Sequence, residues 1–153
     1  MLILIEEQAW KVIHEDAENT YPYECCGFLY GQEEEGKRTI TKADPVNNAK
    51  DENRNRRFEI TPEDYMAAEE YADNNDLLLL GVYHSHPDHP AVPSEFDLRK
   101  ALPYFSYVIA SVKKSKVADL KSWQLDENRQ FREEDLNISA ENFNLDQFLT
   151  VNE

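Results

Sequence analysis

The sequence predicts an α+β fold, an α/β sandwich in which helices flank a mixed β-sheet. Short apolar runs typical of core strands alternate irregularly with segments whose apolar residues recur at helical spacing. Of the 153 residues, 41% are apolar, which is enough for one hydrophobic core without support from disulfides or metal. We therefore expect one domain over residues 1–138, followed by an acidic, Asn-rich tail over residues 139–153.

The charge balance excludes two classes of partner. The chain has 16 basic and 31 acidic residues, and its formal net charge is −15. Such a surface repels nucleic acid and anionic membranes, so we expect neither as a partner. The one dense basic cluster in the sequence is formed by Arg54, Arg56 and Arg57. It is typical of a solvated loop, with a partner contact as the minority alternative.

Two features of the sequence favour a cytoplasmic location. The two cysteines, Cys25 and Cys26, are adjacent, and neighbouring positions on a strand point to opposite faces. A disulfide between them is therefore not expected, and a reducing compartment is the natural setting. The apolar run at residues 1–5 continues into two acids, which makes it too short and too acidic for a signal peptide, and we expect no membrane span.

Hydrophobic patterning assigns the elements in the first half of the chain. Trp10, Ile13 and Ala17 recur at helical spacing and predict a packing helix that ends near Asn19. An acid, Glu24, then leads directly into an apolar run, which predicts a core strand over residues 25–31. Further predictions are a strand over 38–46, an exposed loop over 47–57, a short strand over 57–60, and a helix from the Thr61 cap to about residue 73.

The second half of the chain contains the strand that we expect to lie at the centre of the fold. An apolar run starting at residue 77 predicts a buried strand that continues to residue 86. Beyond it, a short helical pattern covers residues 95–102 and is ended by Pro103. The remaining predictions are strands over residues 104–112, 119–125 and 131–138.

A candidate metal site lies at the end of the central strand. His84 and His86 are two residues apart, so an extended backbone puts both imidazoles on the same face. Pro87 and Pro90 then force a turn, after which Asp97 can return to the same place. Two neutral imidazoles and one carboxylate form a three-ligand zinc site with a fourth position open for water, as in catalytic zinc sites.

Each part of this site also has a simpler interpretation. Histidines at strand ends are often merely solvated or hydrogen-bonded, so one His-x-His pair is weak evidence for a metal. Ser94 stands three residues before Asp97, which is the sequence form of a helix capping box, and capping could be its whole role. His89 could replace either neighbouring histidine as a ligand, although its position beyond Pro87 favours a supporting or solvent-facing place.

The complete pattern resembles one known family. His84-x-His86, then seven residues, Ser94, two residues and Asp97, with Glu24 upstream of a Gly-Phe-Leu-Tyr-Gly strand, is similar to the motif of the JAMM (MPN-plus) metalloproteases. The resemblance extends from the first helix to about residue 136. It includes the segments at residues 21–27, 81–87 and 122–123.

The resemblance implies a fold, a cofactor and a set of roles. The implied fold is the cytidine-deaminase-like JAMM fold, and the implied cofactor is a zinc ion held by His84, His86 and Asp97. Glu24 would act as general base, and Ser94 would stabilise the oxyanion of the tetrahedral intermediate. Deaminases themselves carry His-x-Glu and Pro-Cys-x-x-Cys, and because the sequence has neither, deamination is disfavoured.

The compact chain is similar to the stand-alone prokaryotic members of this family. The resemblance implies a zinc metallopeptidase that cleaves after the C-terminal Gly-Gly of a ubiquitin-like sulfur-carrier protein. An extended Gly-Gly tail would be held by addition to a sheet edge, because glycine offers no side chain to recognise. Two alternatives are a non-catalytic MPN-type scaffold and a deubiquitinase-like isopeptidase; the complete motif counts against the first, and the lack of long insertions against the second. The sequence leaves the oligomeric state open.

Overall fold

The computed structural model describes residues 1–46 and 59–139, and these contain three helices and seven strands. In chain order the elements are β1 Leu2–Glu6, α1 Glu7–Thr20, β2 Cys26–Glu34, β3 Lys37–Val46, α2 Pro62–Asn74, β4 Leu78–Pro87, α3 Glu95–Lys100, β5 Ser106–Lys113, β6 Lys116–Leu125 and β7 Phe131–Ser139.

The seven strands form one mixed sheet in the order β1-β3-β2-β4-β5-β6-β7. The sheet closes on itself because β1 pairs in parallel with both β3 and β7. Strands β4 and β5 are also parallel, and the other neighbouring pairs are antiparallel. The predicted α+β fold with a mixed sheet flanked by helices is therefore confirmed. Strand β4 lies in the middle of this order, as expected for the most apolar run.

Helix α1 covers one face of the sheet. Its apolar stripe contains Trp10, Ile13 and Ala17, the residues that predicted it, and all three are buried. They pack in a core cluster with strand residues that include Ile3 and Ile40. Full burial of one such side chain stabilises the fold by about 1.5–3 kcal/mol, so this stripe fixes α1 on the sheet.

Helix α2 covers the opposite face and begins where the sequence predicts. The Thr61 hydroxyl accepts a hydrogen bond from the Asp64 amide (3.1 Å), and the Asp64 carboxylate accepts one from the Thr61 amide (2.9 Å). This reciprocal capping satisfies two amides that the helix leaves without partners. Buried Ala68 and Ala72 pack in the second core cluster, which contains the sheet residue Phe28.

None of the helices in the described ranges combines the length and the apolar character needed to cross a bilayer.

The region after the central strand differs from the prediction in two places. Helix α3 ends at Lys100, not at residue 102, because Leu102 precedes Pro103 and the proline ring disfavours the helical conformation of the residue before it. The Leu102 amide instead donates a hydrogen bond to the Tyr107 hydroxyl (2.7 Å). Strand β5 begins at Ser106, two residues later than predicted. Tyr104, two residues before the strand, has a left-handed φ of 81°.

Other differences arise where apolar patterning is weak. The sequence did not assign β1, which has only five residues. Strand β2 is longer than predicted because it continues as an exposed hairpin arm, where pairing needs no buried side chains. Strand β6 begins three residues earlier than predicted, at Lys116, and this extension includes the buried Val117. Residues 59–60 are not in a strand. The loop at 47–57 with its arginine cluster, residues 57–58 of the predicted short strand, and the tail beyond Ser139 lie outside the described residues.

Candidate functional site

The candidate site lies at the end of β4, where this strand is paired on both sides. His84 pairs with Cys26 of β2 and with Ile109 of β5. The side chains of His84 and His86 are 1% and 10% exposed. Because the strand is held by neighbours on both edges, the two imidazoles are presented by a rigid backbone.

Three polar atoms converge there from β4 and α3. The distance between His84 Nε2 and His86 Nε2 is 3.2 Å. Asp97 Oδ2 lies 3.1 Å from the Nε2 atom of His86 and 3.4 Å from that of His84. The three atoms therefore form a nearly equilateral triangle. Among the described His, Cys, Asp and Glu residues, these three have ligand atoms close enough together to hold one metal ion.

Helix α3 positions Asp97 through its own capping box. The Ser94 hydroxyl accepts a hydrogen bond from the Asp97 amide (3.1 Å), and Asp97 Oδ2 accepts one from the Ser94 amide (2.9 Å). The capping role expected for Ser94 is therefore present. The same carboxylate oxygen faces both histidines, so the helix cap and the metal-ligand geometry depend on one side chain.

The ring of His86 is oriented by the loop that follows β4. His86 Nδ1 lies 2.8 Å from the carbonyl oxygen of Pro90, which can only accept, so Nδ1 carries the proton and Nε2 keeps its lone pair. The loop itself is tied to the sheet by two donors. The Ser111 hydroxyl donates to the His89 carbonyl (2.6 Å), and the Trp123 indole donates to the Ala91 carbonyl (3.0 Å).

The electrostatics of the triangle favour metal binding. Burial lowers the pKa of His84, and this effect outweighs the opposing influence of Asp97. Burial alone would raise the pKa of the Asp97 carboxyl, but the neighbouring histidines and the Ser94 amide hold that pKa well below its usual range. Near neutral pH His84 is thus a neutral imidazole and Asp97 a carboxylate. These are the protonation states in which each side chain binds metal.

Glu24 does not belong to this triangle, but it lies two residues before Cys26, which pairs with His84. It is 9% exposed and directly precedes Cys25. The Cys25 amide donates to the Ser85 hydroxyl (2.9 Å), and the Ser85 amide donates to the Cys25 carbonyl (3.1 Å). These two bonds fasten the backbone beside Glu24 to the residue between the two histidines. The acid that precedes β2 is therefore buried, not merely solvated.

The other sequence candidates fall outside the triangle. His89 is exposed and is not among the clustered ligand atoms, which agrees with the solvent-facing alternative expected for it. Cys25 and Cys26 are both unoxidised and belong to the two different core clusters, so they do point to opposite faces. Burial raises the pKa of the Cys25 thiol well above its usual value and that of Cys26 to about 12, which disfavours a nucleophilic role.

Sequence reasoning missed the residues that support the site. Ser85 lies within the motif segment at residues 81–87, but its residue type there predicts no role, and the Pro90 carbonyl leaves no signal because every residue has a carbonyl. The side chains around the hollow beside His84 and Asp97 come from five different segments, and their patterning indicates core packing. Only the spacing of Ser85 between two same-face histidines predicts that it points to the opposite face.

The donor set fits zinc. Ligand atoms about 2.0–2.2 Å from a tetrahedral ion lie roughly 3.3 Å from each other. The observed separations of 3.1, 3.2 and 3.4 Å match this edge length. Two imidazoles and one carboxylate are also ligands that zinc accepts in sites with an open fourth position.

Comparisons with known proteins place this geometry in a family. The family described as prokaryotic homologs of the JAB domain matches residues 6–126. The chain is 37% identical over 98 residues to a desampylase of Haloferax volcanii, covering 63% of this chain and 68% of that protein. It is 30% identical over 112 residues to a desampylase of Pyrococcus furiosus, covering 72% of each.

The crystal structure of a JAB1/MPN domain protein from Archaeoglobus fulgidus has the same fold, with a TM-score of 0.57 at 18% identity, over 90% of this chain and 97% of that one. The family match covers the strand with both histidines, the capped helix with Asp97 and the segment with Glu24. The chain therefore belongs to the prokaryotic homologs of the JAB domain, within the JAMM (MPN-plus) family that its motif predicted.

Proposed function

We propose that this chain is a zinc-dependent metallopeptidase that hydrolyses the peptide or isopeptide bond after the C-terminal Gly-Gly of a ubiquitin-like protein. The observation that carries the proposal is the triangle of His84, His86 and Asp97 ligand atoms beside a buried Glu24. Its two desampylase relatives support a hydrolase of the isopeptidase type that acts on ubiquitin-like proteins.

In this proposal His84, His86 and Asp97 hold the zinc ion. When bound, the ion would polarise the scissile carbonyl and bring the pKa of a coordinated water to about 7. His84 contributes a neutral imidazole because burial lowers its pKa. His86 presents Nε2 because the Pro90 carbonyl holds the proton on Nδ1. Asp97 supplies the negative charge and is aimed by the cap of α3.

Glu24 performs the proton transfers. Its carboxylate accepts a proton from the attacking water while the water oxygen adds to the carbonyl carbon. It then donates that proton to the departing nitrogen as the carbon–nitrogen bond breaks, which leaves a carboxylate and an amine. Burial suits a group that must alternate between its charged and neutral forms at one place. The hydrogen bonds between Cys25 and Ser85 hold the adjoining backbone in position.

Ser94 is suited to stabilise the developing oxyanion. Its oxygen accepts from the Asp97 amide, so capping occupies a lone pair and leaves the hydroxyl proton available to donate. A fixed donor facing the carbonyl oxygen stabilises the negative charge that forms on it in the transition state. Capping and catalysis are therefore compatible in one side chain.

We further propose a sulfur-carrier protein as the native substrate and the cytoplasm as the place of reaction. The support for the carrier is the resemblance to the compact stand-alone members of the family. The support for a reducing compartment is the pair of buried, unoxidised cysteines.

The test is the zinc content of the purified chain, together with cleavage of a ubiquitin-like carrier that bears an adduct after Gly-Gly. We expect about one zinc per chain and release of the adduct that a chelator abolishes and added zinc restores. The Asp97→Ala variant should lose both zinc and activity. Protein that is prepared without chelators and contains no zinc would overturn the proposal.

A further inference from the structure

A small hollow lies directly beside two of the proposed zinc ligands, with His84 and Asp97 forming part of its wall. Apart from these two, it is lined by Tyr65, Pro93, Lys100, Tyr107, Ile109 and Phe131. Five of the six are apolar or aromatic. Anything that occupies the hollow therefore lies next to the reacting bond, against a wall that is mostly apolar or aromatic and has Lys100 as its one charged side chain apart from the ligands.

The wall is built before any substrate arrives. The Tyr107 hydroxyl accepts the Leu102 amide (2.7 Å), and the Tyr107 ring meets that of Phe131 edge-on, with centroids 6.1 Å apart. The ring of Tyr65 stacks on Phe105, with centroids 6.2 Å apart. These contacts join α2, β5 and β7 and fix the shape of the hollow, so its selectivity is a property of the folded chain.

A second hollow borders the first. It is lined by Glu59, Ile60, Tyr65 and Lys100. It shares Tyr65 and Lys100 with the first hollow, so the two meet at these side chains. Glu59 lines only the second hollow, whereas Lys100 lines both.

We propose that the apolar hollow is the binding site for the side chain of the residue that follows the scissile bond. The inference rests on the proposed function. If cleavage follows Gly-Gly, the two residues before the bond have no side chain that could fill the hollow. A lysine side chain would lose its hydration against this wall and face the Lys100 ammonium, whereas an apolar side chain gains from burial. The preferred leaving group therefore begins with an apolar residue, and a longer one continues into the second hollow.

The experiment uses the zinc-loaded full chain and ubiquitin-like carriers ending in Gly-Gly-X, with X as Val, Leu, Phe, Lys or Asp. We expect kcat/KM to be at least about tenfold higher for Val or Leu than for Lys, the scale on which apolar pockets discriminate, and Asp to lie between them because the Lys100 ammonium can pair with it. Binding of the same carriers to the Glu24→Gln variant, which needs no turnover, should follow the same order.

The Phe131→Ala variant should widen the hollow and raise the Phe-to-Val preference by about tenfold. Leu136→Ala on the same strand is the matched control, because Leu136 packs against the other core cluster and should leave the preference unchanged. Equal kcat/KM for every X would overturn the inference but not the proposed function. The inference would also be overturned if Phe131→Ala changed kcat/KM for carriers with alanine in place of a glycine before the scissile bond but did not change the preference for X. No cleavage of any carrier would overturn both.

Discussion

Ser85 is the residue between the two proposed zinc ligands, and its side chain turns to the opposite face of β4. It is fully buried, and its hydroxyl accepts the Cys25 amide at 2.9 Å. The segment that carries Glu24 and the strand that carries the histidines are about 60 positions apart in sequence, and this bond joins them. Ser85 is thus a positioning residue: it contacts neither metal nor substrate but sets where the base stands relative to the ligands.

Replacing Ser85 by alanine should therefore cost both stability and turnover. The change leaves the Cys25 amide without its buried acceptor, which costs about 1–3 kcal/mol in the free energy of unfolding. We expect zinc content to remain near that of the wild type while kcat falls more than KM changes. Urea unfolding, zinc content and kinetics measure the three effects.

The Ser85→Thr variant keeps the hydroxyl on a strand, where a β-branched residue is tolerated, and should recover most of the loss. If Ser85→Ala unfolds at the same urea concentration as the wild type, the hydrogen bond to Cys25 does not hold this junction.

The role proposed for Glu24 leads to a separate prediction. The Glu24→Gln variant keeps the size of the side chain but cannot accept a proton, so we expect it to retain zinc and lose about 10²–10⁴-fold in kcat. Zinc analysis and single-turnover cleavage are the measurements. Undiminished turnover in Glu24→Gln would remove Glu24 from the mechanism.

How much of the site can be predicted depends on how local the interactions are. His84 and His86 follow from strand geometry, and the Ser94–Asp97 cap follows from helix chemistry, because both patterns lie within a few residues. Glu24 is buried beside them only because β2 pairs with β4, and spacing cannot show that pairing; the family resemblance did. The Pro90 carbonyl and the hollow depend on tertiary contacts between several elements.

At the scale of elements, α3 connects helix capping with ligand placement. The helix has six residues, and its first turn contains the reciprocal hydrogen bonds between Ser94 and Asp97. So short a helix gains little from its own hydrogen bonds, so its position depends on the cap and on tertiary packing. The sequence predicted its start accurately because the cap is a local signal. The predicted end is two residues too late because Pro103 also disfavours the helical conformation of Leu102, the residue before it.

Two substitutions of Ser94 separate its two roles. Ser94→Ala removes the acceptor of the cap, which costs about 1 kcal/mol, and we expect weaker zinc affinity together with slower turnover. Ser94→Asp restores a strong capping acceptor but has no proton to donate at neutral pH. We therefore expect Ser94→Asp to recover the unfolding free energy relative to Ser94→Ala without recovering kcat. Equal recovery of stability and kcat in Ser94→Asp would show that Ser94 only caps the helix.

At the scale of the whole molecule, a buried polar network connects several strands of the sheet. Arg38 of β3 is 1% exposed and donates to Ser106 (2.8 Å) and to Glu33 (3.0 Å). Ser106 and Ser122 both donate to the carboxylate of Glu134 on β7, at 3.3 and 2.8 Å. The network thus joins strands on both sides of the closure. The sequence did not predict this closure, because the five residues of β1 are too few to reveal parallel pairing with two distant strands.

Removing the cation from this network should destabilise the fold in a pH-dependent way. Burial raises the pKa of Glu134, against the opposing effects of its serine donors and Arg38. Because the pKa of Glu134 is raised in the folded state, its contribution to the free energy of unfolding is most favourable at acid pH. This contribution is lost as the pH rises through the folded-state pKa. Arg38→Met removes a favourable charge and raises this pKa further. We therefore expect a loss of about 3–5 kcal/mol near pH 7.5 and a smaller loss near pH 5.

The measurement is urea unfolding of the wild type and of Arg38→Met at both pH values, with a chelator present so that zinc does not contribute. Glu33 also faces Arg38, but its side chain is 29% exposed and can be hydrated when the arginine is lost. The double variant Arg38→Met, Glu134→Gln has no titrating carboxyl on β7 at this place, so its difference from Glu134→Gln should vary little with pH. If the loss in Arg38→Met is equal at both pH values, Arg38 stabilises the sheet by packing and not by balancing the buried carboxylate.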